Sequence, residues 1–140
     1  MKRRTLAVPV IVALGFSGPL LCQESIPLYE DLGTLHREIG TESAEVQAYF
    51  DQGLMLAYAF GRPEAVSSFR TAVEREPECA ICSWGEAWAL GPYINEKMPD
   101  DRAREAWAAV RRAVEHRDGG SEVERALIDA IAVRYAEGPE

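Results

Sequence analysis

A set of small, aromatic and proline residues at fixed spacing constrains the fold of this chain more than any other feature. The set lies between positions 49 and 77 and consists of Tyr49, Gly53, Ala65, Phe69, Ala72 and Pro77. Small residues let two helices approach closely, and residues three or four apart share one helix face. Pro63 suits the first turn of a helix, and Pro77 ends one. The spacing therefore predicts two helices packed as a hairpin, with a turn at 61–63.

A second and less regular hairpin follows. We expect its first helix over Ala80 to Gly91 and its second over Asp100 to His116, capped by Asp100 or Asp101. The apolar residues of the second helix fall on one face: Ala103, Ala106, Trp107, Val110, Ala113 and Val114. The connection at 91–99 is longer than the turn of the first hairpin.

One more helix is predicted after Gly120. Ser121 and Glu124 have the spacing of a capping box, and an apolar run reaching Tyr135 follows them. A single helix of this kind cannot bury its apolar face alone. We expect it to cap the array or to begin an incomplete third repeat, and self-association through it is an alternative.

The spacing from Tyr49 to Pro77 matches the tetratricopeptide pattern, with Tyr49, Gln52 and Leu56 where Trp, Leu and Tyr are usual. The stretches 49–54 and 79–87, with Gly91-Pro92 and Asn95, resemble a group of exported bacterial tetratricopeptide-repeat proteins of unassigned function. This likeness covers about 32–135.

The resemblance implies an all-α fold in which TPR-like antiparallel helical hairpins stack as a short solenoid. Within a helical domain at 44–140, repeat one would span 44–77, an irregular repeat two 80–117, and the first helix of an incomplete third repeat 121–136. Members of the group are longer, so we expect this chain to be a fragment. The group implies a scaffold and brings no known catalytic residues.

The first residues have the composition of a secretory leader. Lys2, Arg3 and Arg4 precede an apolar run that is too short for a comfortable membrane span. We expect a signal peptide at 1–22 and an extended segment at 23–43, which predicts an exported protein in the periplasm or cell envelope. Membrane contact would require an uncleaved leader or a lipidated Cys22, and Leu21 is larger than the residue that precedes lipidated cysteines.

The charge balance excludes one class of partner. The formal net charge is −8, and it becomes three units more negative once the three cations of the leader are removed. Nucleic-acid binding depends on Lys and Arg that neutralise phosphates. We therefore expect no nucleic-acid partner.

Cys79 and Cys82 form the sharpest chemical motif of the sequence, a C-x-x-C. Ser83 stands where a c-type haem site needs His, and the chain lacks a second Cys pair for zinc. The simplest interpretation is a local structural disulfide formed in an oxidising compartment. A redox centre is the alternative, because the pair begins a predicted helix.

Aromatic residues on the predicted first helices supply a candidate binding surface. The tetratricopeptide register, carried onto this chain, predicts a groove lined by Gln47, Phe50, Leu54, Ala57, Tyr58, Ile81, Trp84 and Trp88. Such a lining suits a protein or peptide segment with aromatic anchors. The alternative is that these side chains are core or are covered by the segment Ile26-Pro27-Leu28-Tyr29 with Leu32 and Leu35.

No residue set predicts catalysis. His36 and His116 stand alone in polar surroundings, and no nucleophile elbow or phosphate loop is present. We therefore expect no enzyme, no cofactor, no metal, and a scaffold that binds protein partners through the groove.

Overall fold

A computed structural model describes residues 26–92, 94–95 and 97–135 of the chain. Five α-helices occur among the described residues: α1 (Ala44–Tyr58), α2 (Arg62–Arg75), α3 (Ala80–Leu90), α4 (Asp100–Glu115) and α5 (Glu122–Arg134). A 3₁₀ turn at Arg117–Gly119 precedes α5, and the described residues contain no strand. The prediction of an all-α chain is confirmed. The predicted leader, including Cys22, lies outside the described residues.

Consecutive helices pack in pairs. The helix α1 packs on α2, and α3 packs on α4, while α2 also contacts α3. The last helix, α5, lies against α3 and α4. The predicted helices are present with ends shifted by one residue, since α3 ends at Leu90 and α4 at Glu115.

Phe69 is the centre of the junction between the first three helices. Its side chain is fully buried and meets the ring of Phe50 edge to face, with the centroids 5.6 Å apart. A Cβ atom added at Gly53 would lie 2.8 Å from the Phe69 ring, and one added at Gly85 would lie closer still. Glycine at these two positions therefore lets α1 and α3 approach α2 around one aromatic ring.

The N-terminal cap and one face of α4 differ from the prediction. Pro99 is the N-cap residue and offers no side-chain acceptor, so neither Asp100 nor Asp101 caps the helix from that position. Asp101 instead accepts a hydrogen bond from the Arg102 N–H inside the first turn. Val114, predicted on the buried face, is exposed, because it follows Ala113 around the helix toward solvent.

The helix α5 begins as predicted. The Ser121 hydroxyl accepts from the Glu124 N–H, and the Glu124 carboxylate accepts from the Ser121 N–H, which completes a capping box. Ile128 and Ile131 are buried against the neighbouring helices.

An ionic cluster joins α2, α3 and α4. The buried carboxylate of Glu86 accepts hydrogen bonds from Arg70 and Arg112, and Arg70 also binds Glu105. Burial lowers the pKa of the Arg70 guanidinium, but its hydrogen bonds to Glu86 and Glu105 outweigh burial and raise the pKa above its ordinary value. Each buried carboxylate oxygen of Glu86 has a cationic donor, so the charges of this cluster are paired and its role is structural.

Candidate functional site: an aromatic surface and a disulfide cleft

Residues 26–43, which we name the strap, cross the outside of α1. The side-chain amide of Gln52 accepts from the Tyr29 N–H at 2.8 Å and donates to the Pro27 carbonyl at 3.0 Å. Gln47 does the same further along, donating to the Arg37 carbonyl and accepting from the Ile39 N–H. Two glutamine side chains thus hold the strap by its backbone.

The strap reverses near the middle of its length. Gly33 has a φ of 104°, which favours glycine, and it lies opposite Met55. After the reversal, Asp51 accepts hydrogen bonds from the Arg37 N–H and from the His36 ring at 2.7 Å. His36, which stands alone in polar surroundings in the sequence, is exposed on this return arm and paired with Asp51.

Only some of the apolar strap residues that were expected to cover the helices are buried against them. Ile26 and Leu32 are partly buried against the core, whereas Leu28, Tyr29 and Leu35 are exposed. Covering is therefore achieved mainly by backbone contacts to polar side chains of α1.

The predicted groove lining divides into two groups. Phe50, Leu54 and Ile81 are buried in the core, as is Ala57, so they offer no surface to a partner and this part of the prediction is wrong. The reason is that α1, α2 and α3 close on one another around Phe69. Gln47 is partly buried and is occupied by the strap.

The remaining predicted residues form a stacked aromatic group where the ends of α1 and α3 meet. Trp84 and Trp88 stack with centroids 5.6 Å apart and an interplanar angle of 8°, and Tyr58 meets Trp88 edge to face at 5.5 Å. Trp84 is buried, Trp88 is partly buried, and Tyr58 is 67 % exposed. The structure thus brings these three predicted residues together.

Phe60 is a further exposed aromatic residue that the sequence pattern did not single out. It lies in the turn after α1, is 78 % exposed, and has a φ of 65°. The Gly61 N–H donates to the Leu56 carbonyl across this turn, so Phe60 occupies the left-handed position where helices usually place glycine. The sequence feature that could have identified Phe60 is the position of a bulky aromatic residue directly before Gly61. We name the exposed Tyr58 and Phe60 and the partly buried Trp88 together the aromatic surface. The buried Trp84 supports this surface by stacking on Trp88.

Cys79 and Cys82 are joined as a disulfide, with their Cα atoms 5.3 Å apart. Cys79 is the N-cap residue of α3, and its sulfur accepts a hydrogen bond from the Cys82 N–H at 3.3 Å. The local disulfide predicted from the C-x-x-C spacing is therefore present.

A cleft of about 200 Å³ adjoins this disulfide. Its walls come from the end of the strap, the α2–α3 turn, the turn before α5, and the start of α5. The titratable side chains among its lining are Glu76, Glu78, His116 and Glu124, and Cys79 also lines it. His116, which is the C-cap of α4, is thus placed beside the disulfide, a neighbourhood that its sequence position did not indicate.

The outer face of α5 carries a second apolar surface. Val123, Ala126, Ala130 and Val133 are exposed at helical spacing. Val133 is 78 % exposed and Val123 is 60 % exposed.

Across 26–92, 94–95 and 97–135, no three His, Cys, Asp or Glu side chains are grouped so as to hold a metal ion. Within those ranges, every helix falls short of the length and apolar character that a membrane crossing needs. Comparison with protein-family models, curated proteins and solved structures found no match for the chain.

Proposed function

We propose that this chain is an exported scaffold of tetratricopeptide type, which binds a protein segment through the aromatic surface and carries out no catalysis. The spacing from Tyr49 to Pro77 and the paired helices support the repeat assignment, in which the hairpins stack as a short solenoid. The basic and apolar leader at 1–22 supports export to the periplasm or cell envelope.

The observation that carries the binding proposal is the backbone of Phe60. A left-handed conformation costs roughly 1–2 kcal/mol in a residue other than glycine. Burial offers no compensation here, because the Phe60 side chain is exposed to solvent. A strained, exposed aromatic residue two positions after Tyr58, whose ring contacts Trp88, supports a surface kept for recognition.

The partner that fits is a peptide segment with an apolar anchor flanked by Lys or Arg. Aromatic faces attract cations as well as apolar side chains. The chain carries 23 acidic residues against 15 basic ones, so a basic segment is also favoured by its overall field.

The test uses two fluorescent peptides that share one apolar anchor, one flanked by Lys and the other by Glu. We expect the full chain to bind the Lys-flanked peptide and Tyr58→Ala to weaken that binding by at least about tenfold in fluorescence anisotropy. Val114→Ala, which truncates an exposed apolar residue of α4, is the matched control and should bind like the parent.

Phe60→Gly separates recognition from folding. This change relieves the left-handed backbone, so the midpoint of thermal unfolding should rise while peptide affinity falls. Equal affinity of the parent and Phe60→Gly for the peptide, together with equal affinity of Tyr58→Ala, would remove the basis for the proposed surface.

A second candidate function, self-assembly through α5, is favoured by the exposed stripe at Val123, Ala126, Ala130 and Val133. These positions are symmetric about Ile128, so two copies can pair antiparallel, with Val123 of one copy against Val133 of the other. Sedimentation velocity should then show a dimer that Val133→Asp dissociates. A monomer at every concentration would dismiss this candidate and leave the peptide-binding proposal untouched.

A further inference from the structure

The two sulfurs of the disulfide differ in their surroundings. Both cysteines belong to the core, but Cys79 is 5 % exposed and lines the cleft, whereas Cys82 is fully buried and is not among the residues that line it. A reagent that enters the cleft therefore meets Cys79 and cannot approach Cys82 without opening α3.

The start of α3 also favours one sulfur once the bond is broken. The Cys82 N–H points to the Cys79 sulfur, and the unpaired N–H groups of a helix start stabilise a negative charge. The same helix end therefore stabilises Cys79 as the thiolate that is released when a second thiol resolves a mixed disulfide on that sulfur.

The charged side chains of the cleft determine which thiol reagents it favours. Glu76, Glu78 and Glu124 line the walls, and His116 is the one basic side chain among the lining residues. Glu124 accepts a hydrogen bond from the Gly40 N–H of the strap and caps α5, and Glu76 accepts one from Thr41. The exposed Glu78 makes no hydrogen bond or ion pair within the described residues. Such walls attract a cationic reagent and repel an anionic one.

We propose that the Cys79–Cys82 disulfide is an exchange site for thiols that carry positive charge next to the sulfur, and that Cys79 Sγ is the atom attacked. The incoming thiolate forms a new S–S bond to Cys79. The Cys79–Cys82 bond breaks, and its electron pair goes to Cys82 Sγ, which then takes up the proton that the attacking thiol released. A second thiol attacks the mixed disulfide, which leaves the Cys79 and Cys82 thiols and one molecule of the reagent's disulfide.

The test compares cysteamine with 2-mercaptoethanesulfonate, two-carbon thiols of opposite charge, on the full chain carrying Cys22→Ser. Free thiols are blocked at set times, and mass spectrometry locates the mixed disulfide. The exchange rate of the folded chain with each reagent is divided by the exchange rate of the same chain unfolded in urea. This ratio corrects for the different thiolate fractions of the two reagents. We expect the adduct on Cys79 and a corrected preference for cysteamine of at least about tenfold.

Two controls tie this preference to the cleft. Raising the ionic strength to about 1 M shortens the screening length to about 3 Å and should abolish most of the preference. Glu78→Gln should reduce it, whereas Glu74→Gln, at an exposed position of α2 outside the cleft, should not.

An adduct on Cys82, equal corrected rates for the two reagents, or exchange only in urea would each overturn the proposal. The last outcome would leave the bond as a structural staple of the α2–α3 turn. None of these results bears on peptide binding at the aromatic surface, which lies at the opposite ends of α1 and α3.

Discussion

The junction around Phe69 and the last helix, α5, bury their apolar residues in different ways. Phe69 is enclosed by three helices, with glycine at Gly53 and Gly85 where any larger residue would meet its ring. The helix α5 buries Ile128 and Ile131 on one face and leaves Val123 and Val133 in solvent on the other. The difference teaches that this chain packs tightly around Phe69 and leaves apolar surface on α5.

The largest expected effect comes from emptying the junction. Phe69→Ala should lower the free energy of unfolding by about 3–5 kcal/mol, because three helices lose their common contact and cannot all close the cavity. Urea denaturation followed by circular dichroism measures it. Phe60→Ala makes the same change at an exposed side chain and should cost far less, so equal losses would contradict the central role of Phe69.

Overfilling the same junction should have the next largest effect. Alanine in an open helix position stabilises relative to glycine by up to about 1 kcal/mol. At Gly85 the added methyl meets the Phe69 ring, so we expect Gly85→Ala to destabilise by about 1–3 kcal/mol. Gly119→Ala, where nothing lies within 4 Å of the added Cβ, is the control. A Gly85→Ala protein as stable as the parent would mean that the ring moves aside at little cost.

Removing the cap of α5 should have a smaller and local effect. Ser121→Ala leaves the Glu124 N–H without its acceptor and should cost about 1 kcal/mol. Because α5 is packed on one face only, amide hydrogen exchange should quicken in α5 and not in α1 to α3. Ser67→Ala on α2, whose hydroxyl only bonds back to the Pro63 carbonyl, is the matched control. Faster exchange throughout the chain would show that α5 folds as one unit with the junction.

The smallest effect at neutral pH is expected at Tyr135, after the end of α5. Its hydroxyl has no hydrogen-bond partner in the described structure, so Tyr135→Phe should change the free energy of unfolding by less than about 0.5 kcal/mol there. Burial raises the pKa of the Tyr135 hydroxyl above its ordinary value, against the opposing charges of Arg134, Arg102 and Arg62.

The raised pKa of Tyr135 determines whether this residue stabilises or destabilises the fold at alkaline pH. The folded state favours the neutral phenol of Tyr135. Its contribution to the free energy of unfolding is therefore fully present below the pKa of about 10 in the unfolded chain, and it is lost as pH rises through the higher pKa in the folded state. The parent should therefore lose more stability than Tyr135→Phe above about pH 10. Parallel losses in urea titrations across that range would show that Tyr135 is not protected.

Local patterns predicted the elements of this fold well. Gly61 and Pro63 set the break between α1 and α2, Ser121 and Glu124 set the start of α5, and the spacing of Cys79 and Cys82 allowed a local disulfide. Each of these features depends on residues that are near one another in the chain. The assignment to the tetratricopeptide family, the leader, and the binding of a protein partner stay predictions.

The surface was predicted less well, because exposure depends on which helices meet. Phe50, Leu54 and Ile81 belong to the register of a groove, yet they are buried, since α1, α2 and α3 close around Phe69. Gln47 is taken by the backbone of the strap, and Phe60 is presented to solvent by a left-handed turn that no spacing rule demands.

The sequence by itself determined where the helices begin and end, because caps, breakers and helical spacing act over a few residues. Only the tertiary structure decided which aromatic residues reach solvent and which cysteine faces a cleft. Burial is a property of contacts between distant segments, such as the contact of Gly40 with Glu124, and these contacts are formed only when all the helices pack together.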